Sequence, residues 1–353
     1  MQRRSFFLTP AALAAAPAMS HPFPTPETPP PTQAWDANGE IHAGRYSVRQ
    51  VRFDSGGTGI VGNLFLPTHK APAPTVALIG PVAYVKEQAP MQYASRLAQA
   101  GFAALVFDPR HHGESGGLPR RLESRQAKVD DLLRAVDFLA RVPAVDARQL
   151  HLLGICQGVN WAAEAAVRGA PVQSLAMVAG HYLTPATARL YVGGDEALAR
   201  RLALSDAACE RFERTGEVEY VPIVSLDDPD ALLTARPVHD FYRPWADRHV
   251  FSAHHGLWEN RIARMSEAGL WRHDVTPVLQ RLRTPTLMLH SERAASGAAI
   301  PRELFAHVGS AHKRLAWLPS RNQIQFYQDP LTLDAAVAGL SAFFTHPTSL
   351  ERT

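Results

Sequence analysis

Residues 154–158 read Gly-Ile-Cys-Gln-Gly, a G-x-C-x-G pattern. The apolar run Gln149-Leu150-His151-Leu152-Leu153 precedes it, and the small-residue stretch Trp161-Ala162-Ala163-Glu164-Ala165-Ala166 follows. Strand, sharp turn and helix together lift one side chain above the edge of a sheet. The two glycines permit the turn, and the side chain they lift is the thiol of Cys156. A thiolate is a stronger nucleophile than a hydroxyl. The N-terminus of the following helix favours an anion, so the thiol is expected to be unusually acidic and to attack a carbonyl carbon. A free cysteine is more often a small buried residue; here the flanking glycines argue for chemistry. Cys209 is the second of two cysteines, and the turn position of Cys156 argues against their pairing. No Cys/His spacing suits zinc, so no metal and no cofactor are expected.

The elements that must position this thiol follow from the hydrophobic pattern. Tyr46 to Phe53 alternates as a strand, Ser55-Gly56-Gly57-Thr58-Gly59 turns, and Ile60 to Leu66 returns, an antiparallel hairpin at a sheet edge. Thr75-Val76-Ala77-Leu78-Ile79 and Ala103-Ala104-Leu105-Val106-Phe107 are short continuous apolar runs, as strands buried on both faces require. Leu150 to Leu153, Val172 to Val178, Thr286 to His290 and Lys313 to Leu318 continue the series. Helices are expected over Met91 to Ala100, over 126–141 and around Val337, Leu340, Phe343 and Phe344. Strands alternating with helices imply an α/β fold with a mostly parallel, doubly wound sheet. Residues 183–275 break the rhythm and are read as an inserted helical cap. It divides the core into 46–182 and 276–349, over the sheet edge where ligands bind in open α/β folds.

Four segments in this order resemble the α/β-hydrolase superfamily, most closely its dienelactone-hydrolase-like branch, over about residues 46 to 345. Gly80-Pro81-Val82-Ala83 follows the third strand, where that family keeps its oxyanion loop. Phe107-Asp108-Pro109-Arg110-His111-His112-Gly113-Glu114-Ser115-Gly116-Gly117 is similar to the family's D-x-R-G-x-G-x-S-x-G loop, with His112 in place of a glycine. Gly154 to Gly158 matches the nucleophile turn, and Gln323-Ile324-Gln325-Phe326-Tyr327 matches the site of the family histidine. The resemblance implies Cys156 as nucleophile. The backbone N–H of Gln157, with that of Val82 or Ala83, would form the oxyanion hole. Glu292, just after the strand ending at His290, is implied as the acid, and Gln323, beside Asn322, falls in the base slot. An amide orients by hydrogen bonds but cannot take a proton from a thiol, so the usual triad does not close. His111, His112 and His181 stand on active-edge loops as alternative bases. His254 and His255 lie in the cap, and Glu87 and Glu114 are further carboxylates on loops of the same edge.

Bulk properties bound the partners. The net charge of +3 with no basic cluster argues against nucleic acid. Residues 1–18, with Arg3-Arg4-Ser5-Phe6-Phe7-Leu8, a short apolar stretch and Ala16-Pro17-Ala18, read as a twin-arginine signal peptide. Residues 19–45 read as a Pro-rich linker. The leader is too short to span a bilayer, so a periplasmic or secreted protein without stable membrane insertion is expected, the alternative being a cytoplasmic one. The expected activity is attack by Cys156 on a small ester, thioester or lactone. The alternatives are a non-hydrolytic acyltransferase or lyase, or an impaired ligand-binding protein.

Overall fold

A computed structural model describes residues 45–69, 71–246 and 257–349. The expected leader, nearly all of the linker, and His254 and His255 lie outside the described residues.

Eight strands form one sheet in the order β1-β2-β4-β3-β5-β6-β9-β10. The hairpin β1 (Tyr46–Ser55) and β2 (Thr58–Pro67) is antiparallel and sits at one edge, with β2 also antiparallel to β4. The remaining pairings are parallel. β3 (Ala73–Ile79), β4 (Ala103–Phe107), β6 (Ser174–Val178) and β9 (Thr286–His290) are buried at every position. Layers therefore cover both faces of the sheet centre, which explains the apolar runs that lack alternation. β5 (Val145–Ile155) carries the turn at its C-terminal end. β10 (Lys313–Trp317) closes the other edge, half-exposed and headed by Lys313 and Arg314, as edge strands often are.

Helices cover the sheet in two groups. α1 (Ala89–Gln99) packs against the closing helix α11 (Pro330–Thr345), and α2 (Arg125–Leu139) against α3 (Gly158–Val167). Ser124 caps α2 by accepting from the Ala127 N–H at 3.2 Å. Between β6 and β9 the chain leaves the sheet. There it forms α4 (Pro185–Val192), α5 (Asp195–Thr215), α6 (Arg236–Tyr242), α7 (Ser266–Trp271), and a small ribbon of β7 (Tyr220–Val221) with β8 (Ile262–Ala263). Buried Arg201 ties α5 to α7 through Glu267 at 2.5 Å. α8 (Thr276–Arg281) leads back into β9; α9 (Ala299–His307) and the one-turn α10 (Gln325–Gln328) flank β10 in the chain. Among the described residues no helix is long and apolar enough to cross a membrane.

Candidate active site

β5 delivers Cys156 into a left-handed conformation, φ 56°, directly before α3. That geometry is costly for a residue with a Cβ, and the surroundings hold it in place. The Cys156 N–H donates to Val178 O at 3.0 Å, and its carbonyl accepts from His181 N–H at 3.1 Å. Asn160, on the first turn of α3, donates to the carbonyls of Gln157 and His181 and accepts from Leu183 N–H. The turn and the loop after β6 are thus locked together. A side chain at Gly158 would meet the backbone of Ile79 and Gly80, so only glycine lets α3 start this close to β3.

The thiol lies in the lining of a cavity of about 610 Å³, whose other walls include Val82 from the loop after β3, Tyr191 and Tyr242 from the inserted helices, and Gln323 and Tyr327 from the loop after β10. The sulfur faces the Tyr327 hydroxyl, the Gln157 backbone N–H and the Gln323 amide. Burial pushes the thiol above its ordinary value. Those hydrogen bonds and the buried Lys128 ammonium pull the other way and do not overcome it. The expected unusually acidic thiol is therefore corrected: desolvation outweighs the helix terminus.

Gln323 is held by three contacts. Its Oε1 accepts from Ala295 N–H at 2.7 Å, and its Nε2 donates to Ala179 O at 3.0 Å and to Tyr327 Oη at 2.9 Å. Glu292 is not brought to this amide. It is exposed, with no burial of its carboxylate, and accepts instead from Ser320 N–H, Trp317 Nε1 and Ser291 Oγ. Its own backbone N–H, with these bonds, holds its pKa below the ordinary carboxylate value. Gln323 Oε1 meets the backbone N–H of Ala295 rather than Glu292.

The loop after β3, where the oxyanion hole is expected, is pinned from behind. Ala83, at φ 52°, donates its N–H to Glu123 Oε2 at 2.8 Å, and its carbonyl accepts from Trp258 Nε1 at 3.0 Å. Ala83 is thereby occupied, and Val82 is the loop residue that borders the cavity. Buried Glu123 pairs with buried Lys128. Next to it, Lys86 binds Glu87 at 2.7 Å, Asp108 at 2.8 Å and Glu114. Burial pushes Glu87 up to about 7. Asp108 also accepts from the N–H groups of Lys86 and Glu114. Gly113, at φ +49°, leaves the room that the Asp108 carboxylate fills. Glu87 and Glu114 are thus engaged with Lys86, away from the thiol.

Of the histidines, His181 alone among His111, His112 and His181 lines the cavity. Its ring stacks on Tyr191 at 4.1 Å, its Nε2 has no partner, and burial lowers it to about 4. It is neutral at pH 7 and a weak base. His112 sits behind the loop after β3, Nδ1 3.1 Å from Arg110 O and Nε2 3.7 Å from Glu123. His111 is buried beside Gly117 in the same loop. Neither reaches the cavity. Asn322 borders it but is bound to its own loop through Gln325.

Tyr327 is the site residue that pattern reasoning passed over. Its signal was the spacing Gln323…Tyr327, which puts both on one face of a helical turn. Glu123 and Lys128 gave no signal beyond a lysine at a buried-face position of α2. Both cysteines are free thiols, and among the described residues no group of side chains is placed to hold a metal ion.

No protein-family profile matches the chain. The uncharacterized protein PA2218 of Pseudomonas aeruginosa is 27% identical over 300 residues, 80% of this chain and 79% of that protein. The thiohydrolase aneE of Aspergillus aculeatus is 31% identical over 99 residues, 28% of this chain and 30% of that protein. Among solved structures, the α/β hydrolase GrgF from Penicillium sp. sh18 superposes with a TM-score of 0.72 at 21% identity, over 85% of this chain and 99% of that one. With an eight-stranded, mostly parallel sheet, helices on both faces and a glycine-flanked turn after β5, the chain has the α/β-hydrolase fold.

Proposed function

We propose that this protein is an acyl-transferring or hydrolysing enzyme that acts on a small thioester or ester through Cys156. One observation carries the reading: a thiol in a strained, glycine-flanked turn at a cavity wall, with the Gln157 N–H against its sulfur and Val82 on the adjoining loop. Attack on a carbonyl would send charge to its oxygen, which backbone donors at this turn and loop would stabilise. The likeness to a thiohydrolase over part of the chain supports a thioester as substrate. Export through the Arg3-Arg4 leader is part of the same proposal.

The slot for a proton-cycling base holds an amide. General acid–base help is typically worth about 10²–10⁴-fold in rate, so hydrolysis is expected to be slow and transfer to a better nucleophile favoured. Cys156→Ala should abolish thioester consumption, whereas Cys209→Ala should leave it intact. Equal consumption by the Cys156→Ala variant would remove the reading.

A further inference from the structure

We propose that Tyr327 is the catalytic proton carrier of this site, passing the Cys156 thiol proton to the departing group as a neutral phenol, and that the acyl acceptor is a thiol or an amine rather than water. This rests on Cys156 being the nucleophile.

Tyr327 Oη accepts from Gln323 Nε2 at 2.9 Å. Gln323 is itself fixed at both ends, on Ala295 N–H and Ala179 O. A phenol oxygen has two lone pairs and one proton. One lone pair is taken by Gln323, and the rest of the hydroxyl meets the Cys156 sulfur and the Tyr242 hydroxyl, both in hydrogen-bonding reach. The ring is held by Phe241 at 5.3 Å and Tyr242 at 6.5 Å, and the adjoining Phe326 carbonyl by Tyr93 Oη at 2.8 Å. Burial and the neighbouring sulfur keep this phenol protonated far into the alkaline range. Its role is therefore to relay a proton, with no net charge gained.

The step balances. Cys156 Sγ bonds to the thioester carbon and the carbonyl π pair moves to oxygen. The Sγ proton passes to Tyr327 Oη while the Tyr327 proton passes to the departing sulfur. The oxygen pair then returns and the old C–S bond breaks. The products are acyl-Cys156 and a free thiol, and Tyr327 is a phenol before and after. The reverse sequence with an acceptor R–SH or R–NH₂ regenerates Cys156. A neutral phenol oxygen is too weak a base to make water attack well, so the acceptor must be nucleophilic while uncharged.

The test uses the full chain and two acyl donors, one with an alkylthiol leaving group (N-acetylcysteamine) and one with thiophenol, reading acyl-Cys156 by quenched intact-mass spectrometry. An alkylthiolate leaves poorly without a proton; thiophenolate leaves well. Tyr327→Phe should slow acylation by the alkyl thioester by about 10²-fold or more and spare the aryl thioester to within about tenfold. A purely structural role would slow both alike. Equal losses, or none, overturn the proposal. The unsubstituted chain gives a second arm. Acylation by the alkyl thioester should be slower in D₂O than in H₂O, and acyl-Cys156 should discharge to N-acetylcysteamine or n-butylamine faster than to buffer. No isotope effect, or free acid as the main product with both acceptors present, overturns it without the variant. If the unsubstituted chain acylates with neither donor, the nucleophile reading has failed and this proposal falls with it. Acylation with a flat Tyr327→Phe pattern defeats the proton carrier alone.

Discussion

At the residue scale, two opposing effects set the state of Cys156. A helix N-terminus favours a nearby anion by about 0.3–1 kcal/mol at exposed sites. Burial disfavours the same anion by more, and the thiol is pushed up. The sequence showed the turn and the helix but not the cavity wall, with Tyr191, Tyr242 and Tyr327, in which the thiol is buried, so it pointed to the wrong direction of the shift. Glu292 failed for a related reason. Its place after β9 was legible, but its carboxylate turns outward to Ser320 and Trp317, a choice made by side-chain contacts. A consequence follows for Gln323→His. With Glu292 turned to Trp317 and Ser320, and Ala295 N–H rather than a carboxylate against the amide oxygen, the imidazole would lack an acceptor to fix its tautomer. Turnover of simple esters should rise little, by less than the roughly 10²-fold at the low end for a working base. Steady-state hydrolysis rates of the variant check this; a gain of that size or more would show that some carboxylate does orient the ring.

At the scale of elements, the strands were legible because those at the sheet centre are uniformly apolar and the edge hairpin alternates. Thr286 to His290 and Ala103 to Phe107 were readable to the residue. The charged layer under the loop after β3 was not, because Glu123 and Lys128 look like ordinary helix-start residues until α2 packs. Their pairing fixes Ala83, and through it the loop that carries Val82. Removing one partner leaves the other charge buried alone, which costs about 3–5 kcal/mol. Glu123→Gln should lower stability by that order, read as a fall in denaturation midpoint. Adding Lys128→Met should recover most of it, since the double change leaves no orphaned charge. A double variant as unstable as the two single losses combined would mean the pair does not act as a unit.

At the scale of the whole molecule, buried histidines set the response to acid. His151, His181 and His273 are each lowered to about 4 by burial, and His111, His112 and His290 shift the same way. In the unfolded chain such groups take up protons near pH 6.5. The fold resists until lower pH, so their contribution is fully present above 6.5 and is lost as pH falls toward 4. Each histidine within that window costs about 1.4 kcal/mol per pH unit. Glu87 opposes them: raised to about 7, it favours the folded state at low pH and loses that contribution as pH rises. One carboxyl against six histidines leaves a net loss, so the melting temperature should fall progressively between pH 6.5 and 4.5. A flat profile across that range would contradict the burial of these rings.

The central claim is that Cys156 takes up an acyl group. Mixing the intact protein with a small alkyl thioester and measuring its mass tests this most directly. The account predicts a mass increase of one acyl group, mapped by peptide analysis to Cys156, that persists in buffer and disappears on adding a thiol. An unmodified chain, or an acyl group found on Cys209, would contradict it.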